Sequence, residues 1–202
     1  MIDKQAYSLK DGITPIGIAF YVAPYVNATI RMGTQEEKLL LFESMLDFRG
    51  YELIDSTKRG CKGQKETRVE QACRNCTNIK SRQTKARDLA LETIENIITE
   101  KKLLDNKILA IKLDNYSADR NLTGLIANQL MAKYQRPVLL LNKVVEKTPL
   151  YDTFGKEIST LEVISWEGSG RGYEAATKSL KDFVHDSGMS EYEQGHDNAL
   201  GI

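Results

Sequence analysis

No apolar stretch in this sequence approaches the ~20 consecutive residues that a membrane-spanning helix needs, and the opening MIDKQAYSLK lacks the apolar core of a secretion signal. The sequence therefore reads as a cytoplasmic protein with no membrane partner. Three cysteines, an odd number in 202 residues, fit free thiols in a reducing compartment better than a disulfide framework. There is no G-x-x-x-x-G-K-[ST] loop. There is no Asp-x-Asp or Asp-His-His cluster from which a two-metal hydrolytic centre could be built. Only two histidines are present, so a nucleophilic triad has little support. Neither charge sign dominates: 28 basic and 28 acidic side chains cancel, which excludes a wholly basic polyanion binder but says nothing about local patches.

The charge that is present is unevenly placed. Between Ser56 and Arg87 ten Lys or Arg face only Glu66 and Glu70, and the rest of the chain carries the balancing acid. Two readings stay open, a solvated charged helix or a phosphate-tracking surface. The length fits one domain with an appendage or two small lobes.

Residues 15–33 are apolar and interrupted by Pro24, a helical or turn-rich segment. Thr34-Gln-Glu-Glu37 is a capping box opening a helix to about Asp47, with Leu39, Leu40, Phe42 and Leu46 as its buried face. Three glycines between Phe48 and Glu66 predict a loop with a short strand or hairpin. From about Thr67 to Lys101, apolar residues including Ala72, Cys76, Ile79, Ala90 and Ile94 recur at helical spacing, predicting one helix roughly 50 Å long that bridges lobes. KILAIKL (107–113) and PVLLLN (137–142) read as buried strands around a helix containing Leu122, Leu125, Ile126 and Leu130; if the strands are parallel, the crossover should be right-handed. NKVVEKT and STLEVISW are further strands around the turn YDTFGKE. A helix from about Tyr173 to His185 and a final strand near the end follow.

Gly168-Ser-Gly-Arg-Gly172 stands directly ahead of that last helix. Helix-start amides, a serine hydroxyl and a bidentate arginine suit an anion, although a glycine-rich turn needs no ligand. Gly195-His196 could approach a phosphate or sugar closely, or simply lie exposed. His185 reads as a helix-end residue. Cys73 and Cys76, with Cys61 upstream, invite a zinc reading, but both fall on the apolar stripe and four ligands are lacking, so core packing is preferred. Trp166 reads as a core anchor rather than a base-stacking platform.

In order along the chain, IAFYVAPYVNATIRMG, NLTGLIANQLMAKYQRPVLLL, GSGRG and GHDNALG resemble the C-terminal half of RecJ-type single-strand-specific exonucleases of the DHH phosphoesterase superfamily, in the variant of phages and their Firmicute hosts. The resemblance covers about residues 15 to 202. It implies an α/β fold in which a long connecting helix leads into a DHH-associated domain with a mixed β-sheet flanked by helices. The implied division is a remnant of the DHH side at 1–47, a hairpin and connector helix at 48–104, and the nucleic-acid-binding DHH-associated domain at 105–202. Ser169, Gly170 and Arg171 match the family's phosphate-holding motif, Gly195 and His196 its glycine-histidine motif, and Asn27 and Arg31 its Asn-Ala-x-x-Arg pattern. Tyr25 and Gln194 depart from the pattern, standing where a basic residue and a second glycine are usual.

The metal-binding DHH motifs are missing. The resemblance thus implies a chain that positions single-stranded DNA, without catalytic or metal-ligating residues of its own. Mn²⁺ or Mg²⁺ and the hydrolytic step belong to an absent N-terminal DHH domain of a 5′→3′ exonuclease of DNA repair and recombination. Two other functions fit the same fold: a protein-interaction or regulatory module, and part of a DHH-family oligoribonuclease.

Overall fold

Proline fixes the start of two short helices. Pro15 begins α1 (Pro15–Tyr21), where Thr14 caps the Gly17 amide, and Pro24 occupies the first turn of α2 (Ala23–Met32). The computed structural model describes residues 1–2, 5–10, 12–114 and 118–202. Its compact units are Met1–Lys85 and Ala86–Ile202.

In the first unit, α3 (Gln35–Ser44) opens on the expected capping box: the Thr34 hydroxyl accepts from the Glu37 amide while Glu37 accepts from the Thr34 amide. The helix buries Leu41, with Leu40 and Leu46 half-buried, whereas Leu39 and Phe42 are exposed. This corrects the expected face: the ten-residue helix presents only one fully covered position. Strands β1 (Leu53–Asp55) and β2 (Lys65–Thr67) pair antiparallel, as the glycine-rich loop suggested. They lead into α4 (Arg68–Glu100), one residue inside the expected limits at each end. Ala72, Cys76 and Ile79 are buried in the first unit and Ala90, Leu91, Ile94 and Ile98 in the second. At the far end Ile98 is buried and Ile97 half-buried.

The second unit is built on a five-stranded mixed sheet of order β3-β4-β5-β7-β6. β3 (Leu109–Leu113) and β4 (Val138–Tyr151) are parallel, joined through α5 (Thr123–Tyr134). β5 (Glu157–Arg171) returns antiparallel to β4, and the short hairpin of β6 (Gln194–His196) and β7 (Ala199–Gly201) completes the sheet. One face buries Leu109, Ile111, Val138 and Leu140, with α5 contributing Ile126, Ala127 and Leu130. The other carries Leu200, which packs with Leu180 and Val184 of α6 (Leu180–Asp186) and with Leu139. The sheet is thus flanked by helices. Among the described residues no helix is long and apolar enough to cross a membrane.

Helix α6 starts seven residues later than the expected Tyr173. Tyr173 to Lys178 form turns, with the Ala176 and Thr177 amides both donating to the Tyr173 carbonyl. Trp166 is half-buried rather than a core anchor, with the Lys112 ammonium 4.8 Å from the centre of its ring.

Candidate nucleic-acid interface

The tract Gly168 to Arg171 is not a turn ahead of a helix; it is the last part of strand β5. Its glycines are required by close neighbours. A Cβ on Gly168 would stand 1.9 Å from the Leu140 carbonyl oxygen, and one on Gly172 would stand 1.9 Å from Asn198 Oδ1. The Gly168 amide donates to the Ile202 carbonyl (2.8 Å) and that of Gly172 to Asn198 (3.0 Å). These backbone donors serve the sheet, so the motif offers an anion its side chains and not a nest of amides.

The helix that follows in sequence is closed as well. At the start of α6 the Ser179 hydroxyl accepts from the Asp182 amide (3.0 Å), and Asn198 Oδ1 accepts from that of Leu180 (3.2 Å).

The helix start that meets the motif belongs to α5. Thr123 Oγ1 lies 2.9 Å from Ser169 Oγ. The Arg171 guanidinium packs over Gly124, where an added Cβ would stand 2.5 Å from Nη2 and 3.4 Å from Ser169 Oγ. Leu122 sits at the N-cap and supplies no side-chain cap to the first-turn amides. A helix start carries roughly half a positive charge, and Arg171 adds a permanent one. The Thr123 hydroxyl donates to the Arg120 carbonyl (2.9 Å) and so accepts from Ser169, which it holds beside the helix start. Arg171 is half-buried, and its Nη1 donates to the Gly170 carbonyl at 2.6 Å, which orients the fork. An oxyanion is the chemical species this arrangement suits.

Strand register brings His196 to the same side. Arg171 pairs with Ala199, and Ala199 with His196, so the three share one row and one face, with Arg171 and His196 about 10 Å apart at the usual strand spacing. Gly170 and Gly195 lie in the next row on either side of Leu200, hence on the opposite face. A Cβ on Gly170 would fall 2.7 Å from Leu200 Cδ2. Gly195 has φ +129°, and a Cβ there would fall 2.5 Å from the Ala199 oxygen. Both glycines admit Leu200 into the α6 core.

Asn27 and Arg31 lie in the other unit, four residues apart on α2 and exposed. Between them, Ala28 and Thr29 are buried, and Thr29 Oγ1 reaches Cys76 Sγ at 3.2 Å. Cys76 is therefore a core residue, and burial pushes its thiol pKa up. Of the basic block, four arginines have acidic partners: Arg68 with Glu43 and Glu52, Arg74 with Glu66, Arg82 with Glu37, and Arg87 with Asp88.

Sequence reasoning missed four positions. Thr123 and Gly124 complete the anion seat. Asn198 caps α6. Asn142, buried in β4, donates to the Ala118 carbonyl (3.2 Å) and so ties the approach to α5 to the sheet. Asn142 had a visible signal, an amide closing the apolar run PVLLLN. The other three had none, because their roles depend on which strand lies beside them. A divalent metal finds no fit: among the described residues no three His, Cys, Asp or Glu side chains gather as a ligand set.

The sheet and its helices define an α/β fold that gathers Ser169, Arg171 and the start of α5 on one sheet face. No family model matches the chain. It is 35% identical over 207 residues to YorK of Bacillus subtilis, named as an SPbeta prophage-derived single-strand DNA-specific exonuclease, and equally to yorK of Bacillus phage SPbeta. The alignment takes in all of this chain but 32% of each relative, so the chain spans about a third of their length. Among solved structures it superimposes on RecJ of Thermus thermophilus in complex with Mg²⁺ at TM-score 0.55 and 16% identity, covering 99% of this chain and 25% of that one. The Mn²⁺ complex of the same protein gives TM-score 0.55 and 16% identity, covering 100% and 24%. In fold the chain is RecJ-like.

Proposed function

We propose that this chain is the strand-holding C-terminal part of a RecJ-type, single-strand-specific DNA exonuclease. The observation that carries the reading is the convergence of Ser169, Arg171 and the uncapped first turn of α5, which suits one backbone phosphate. Arg171 supplies the charge and a planar fork, Ser169 supplies a hydroxyl, and the Thr123 and Gly124 amides point along the helix axis. His196, in the same row as Arg171, borders the neighbouring phosphate or sugar. Gly170 and Gly195 act indirectly by fixing the strand that carries these side chains. Asn27 and Arg31 form a second contact on α2.

In this reading residues 1–47 belong to the DHH side, 48–104 form the hairpin and connector, and 105–202 are the DHH-associated domain. The DHH domain, with Mn²⁺ or Mg²⁺, performs the hydrolysis in the longer protein. Ile16, Phe20, Ile30 and Phe42 on α1 to α3 are all exposed, large apolar side chains that a polypeptide partner would cover.

Two assays test the division of labour. The purified chain should bind single-stranded oligonucleotides with an affinity that falls steeply with salt, through counterion release. It should leave a labelled single strand intact in Mn²⁺. Rapid degradation by the chain alone, or salt-insensitive binding, would overturn the assignment; the second outcome would favour a docking module.

A further inference from the structure

The tip of the β1–β2 hairpin remains unexplained. It holds Lys58, Arg59 and Lys62 within five residues, all exposed. The four other arginines of the same basic block have acidic partners, and Lys65, at the hairpin base, pairs with Asp55 at 2.7 Å. Among the described residues the three tip side chains make no ion pair. The tip thus gathers three neighbouring cations that make no ion pair among the described residues.

The tip is also built. The Cys61 amide donates to the Lys58 carbonyl (3.1 Å) and the Gln64 amide to that of Cys61 (3.0 Å), which makes two consecutive turns. Gly60 and Gly63 occupy the third position of each, both with φ +81°, the value a type II turn requires. Each turn therefore carries a cation, Arg59 or Lys62, immediately before its glycine. A Cβ on either glycine would meet nothing within 4 Å, so the loop stands clear of other atoms.

The hairpin base is clamped to α4. Arg74 is paired with Glu66 and donates to Thr57 Oγ1 (3.0 Å), while the buried Gln71 donates to the Asp55 carbonyl (3.1 Å) and to Glu66 Oε1 (2.8 Å). The backbone that carries the three cations is thus fixed in advance, which lowers the ordering cost of meeting a ligand.

We infer that Lys58, Arg59 and Lys62 form a further contact for the phosphate backbone of nucleic acid, in the Met1–Lys85 unit and distinct in residues from the Arg171 seat and the α2 pair. Three cations without acidic neighbours exchange condensed counterions with a polyphosphate, a gain that a single phosphate or short acidic peptide does not provide. The inference extends the strand-holding reading but does not depend on the same residues.

The test is fluorescence anisotropy with dT oligomers across a salt series, using the full chain. The K58Q/R59Q/K62Q variant should lower affinity for a long oligomer about tenfold at low salt, and reduce the log–log salt slope by about 2, from ~0.7 per phosphate contact. A charge-matched control, K10Q/K38Q/K85Q, should leave the slope nearly unchanged. Loss of hairpin-variant affinity with R171A unaffected would sustain this inference while sinking the Arg171 seat. Loss in R171A alone, an equal loss in both triple variants, or a hairpin defect seen only with polyglutamate, would overturn it.

Discussion

Helices α5 and α6 begin on opposite faces of one sheet and differ in what closes them. The start of α6 is sealed by Ser179 and Asn198, whose side-chain oxygens take up first-turn amides. The start of α5 has leucine at the N-cap, no side-chain cap, and a guanidinium and two hydroxyls beside it. A capped start contributes stability and has little left for an anion. An open start beside a cation gives up that stability, and an arriving phosphate restores the missing hydrogen bonds. Sequence order pointed to α6 as the anion-binding helix, but the fold puts the motif beside α5.

The comparison breaks most visibly at Arg171. Arg171→Ala should weaken binding of single-stranded oligonucleotides by about 10- to 100-fold, the range of charge-assisted hydrogen bonds at ~1.5–3 kcal/mol. Anisotropy reads the affinity, and a parallel thermal melt separates it from any change in stability.

Asn198→Ala should show the opposite pattern. Losing the cap at α6 costs about 1 kcal/mol of stability, visible as a lower denaturation midpoint, while oligonucleotide affinity is preserved.

Gly124→Ala sharpens the contrast because it separates folding from binding. Alanine favours a helix interior over glycine by about 1 kcal/mol, so stability should hold or rise. The new methyl displaces the Arg171 guanidinium, so affinity should fall severalfold.

The smallest effect concerns pH. The Arg74 guanidinium beside Glu66 holds its carboxyl at about 2, below the ordinary 4.5. The folded-state value is depressed, so this contribution is complete above about pH 4.5 and lost as pH falls through about 2. Glu66→Gln should therefore be less stable than the unaltered chain at neutral pH, with the gap closing on acidification below pH 4.5. A gap that stays constant down to about pH 2 would remove the ion pair as its cause.

Local signals were legible in the sequence. The Thr34 capping box, the hairpin ahead of α4, the long helix and the strand–helix–strand order follow from nearest-neighbour chemistry and periodicity, which require no knowledge of distant contacts. Ser169 and Arg171 stood out as a pair for the same reason. What their glycine setting meant did not. Gly168 and Gly172 resemble turn residues in sequence, yet each is glycine because Leu140 or Asn198 comes too close for a Cβ. Thr123 and Gly124 lie far along the chain from the motif they complete, Thr123 standing 46 positions before Ser169, so only strand pairing reveals the seat. The face of α3 was misjudged because helical spacing identifies apolar positions but not which of them another element covers.

The most direct test is a two-dimensional amide NMR titration of the ¹⁵N-labelled chain with a short dT oligomer at low salt. The account predicts that the Thr123 and Gly124 amides shift together with the Arg171 side-chain signals, while those of Leu180 and Asp182 stay in place. Shifts at Leu180 and Asp182 with Thr123 and Gly124 unmoved would contradict it.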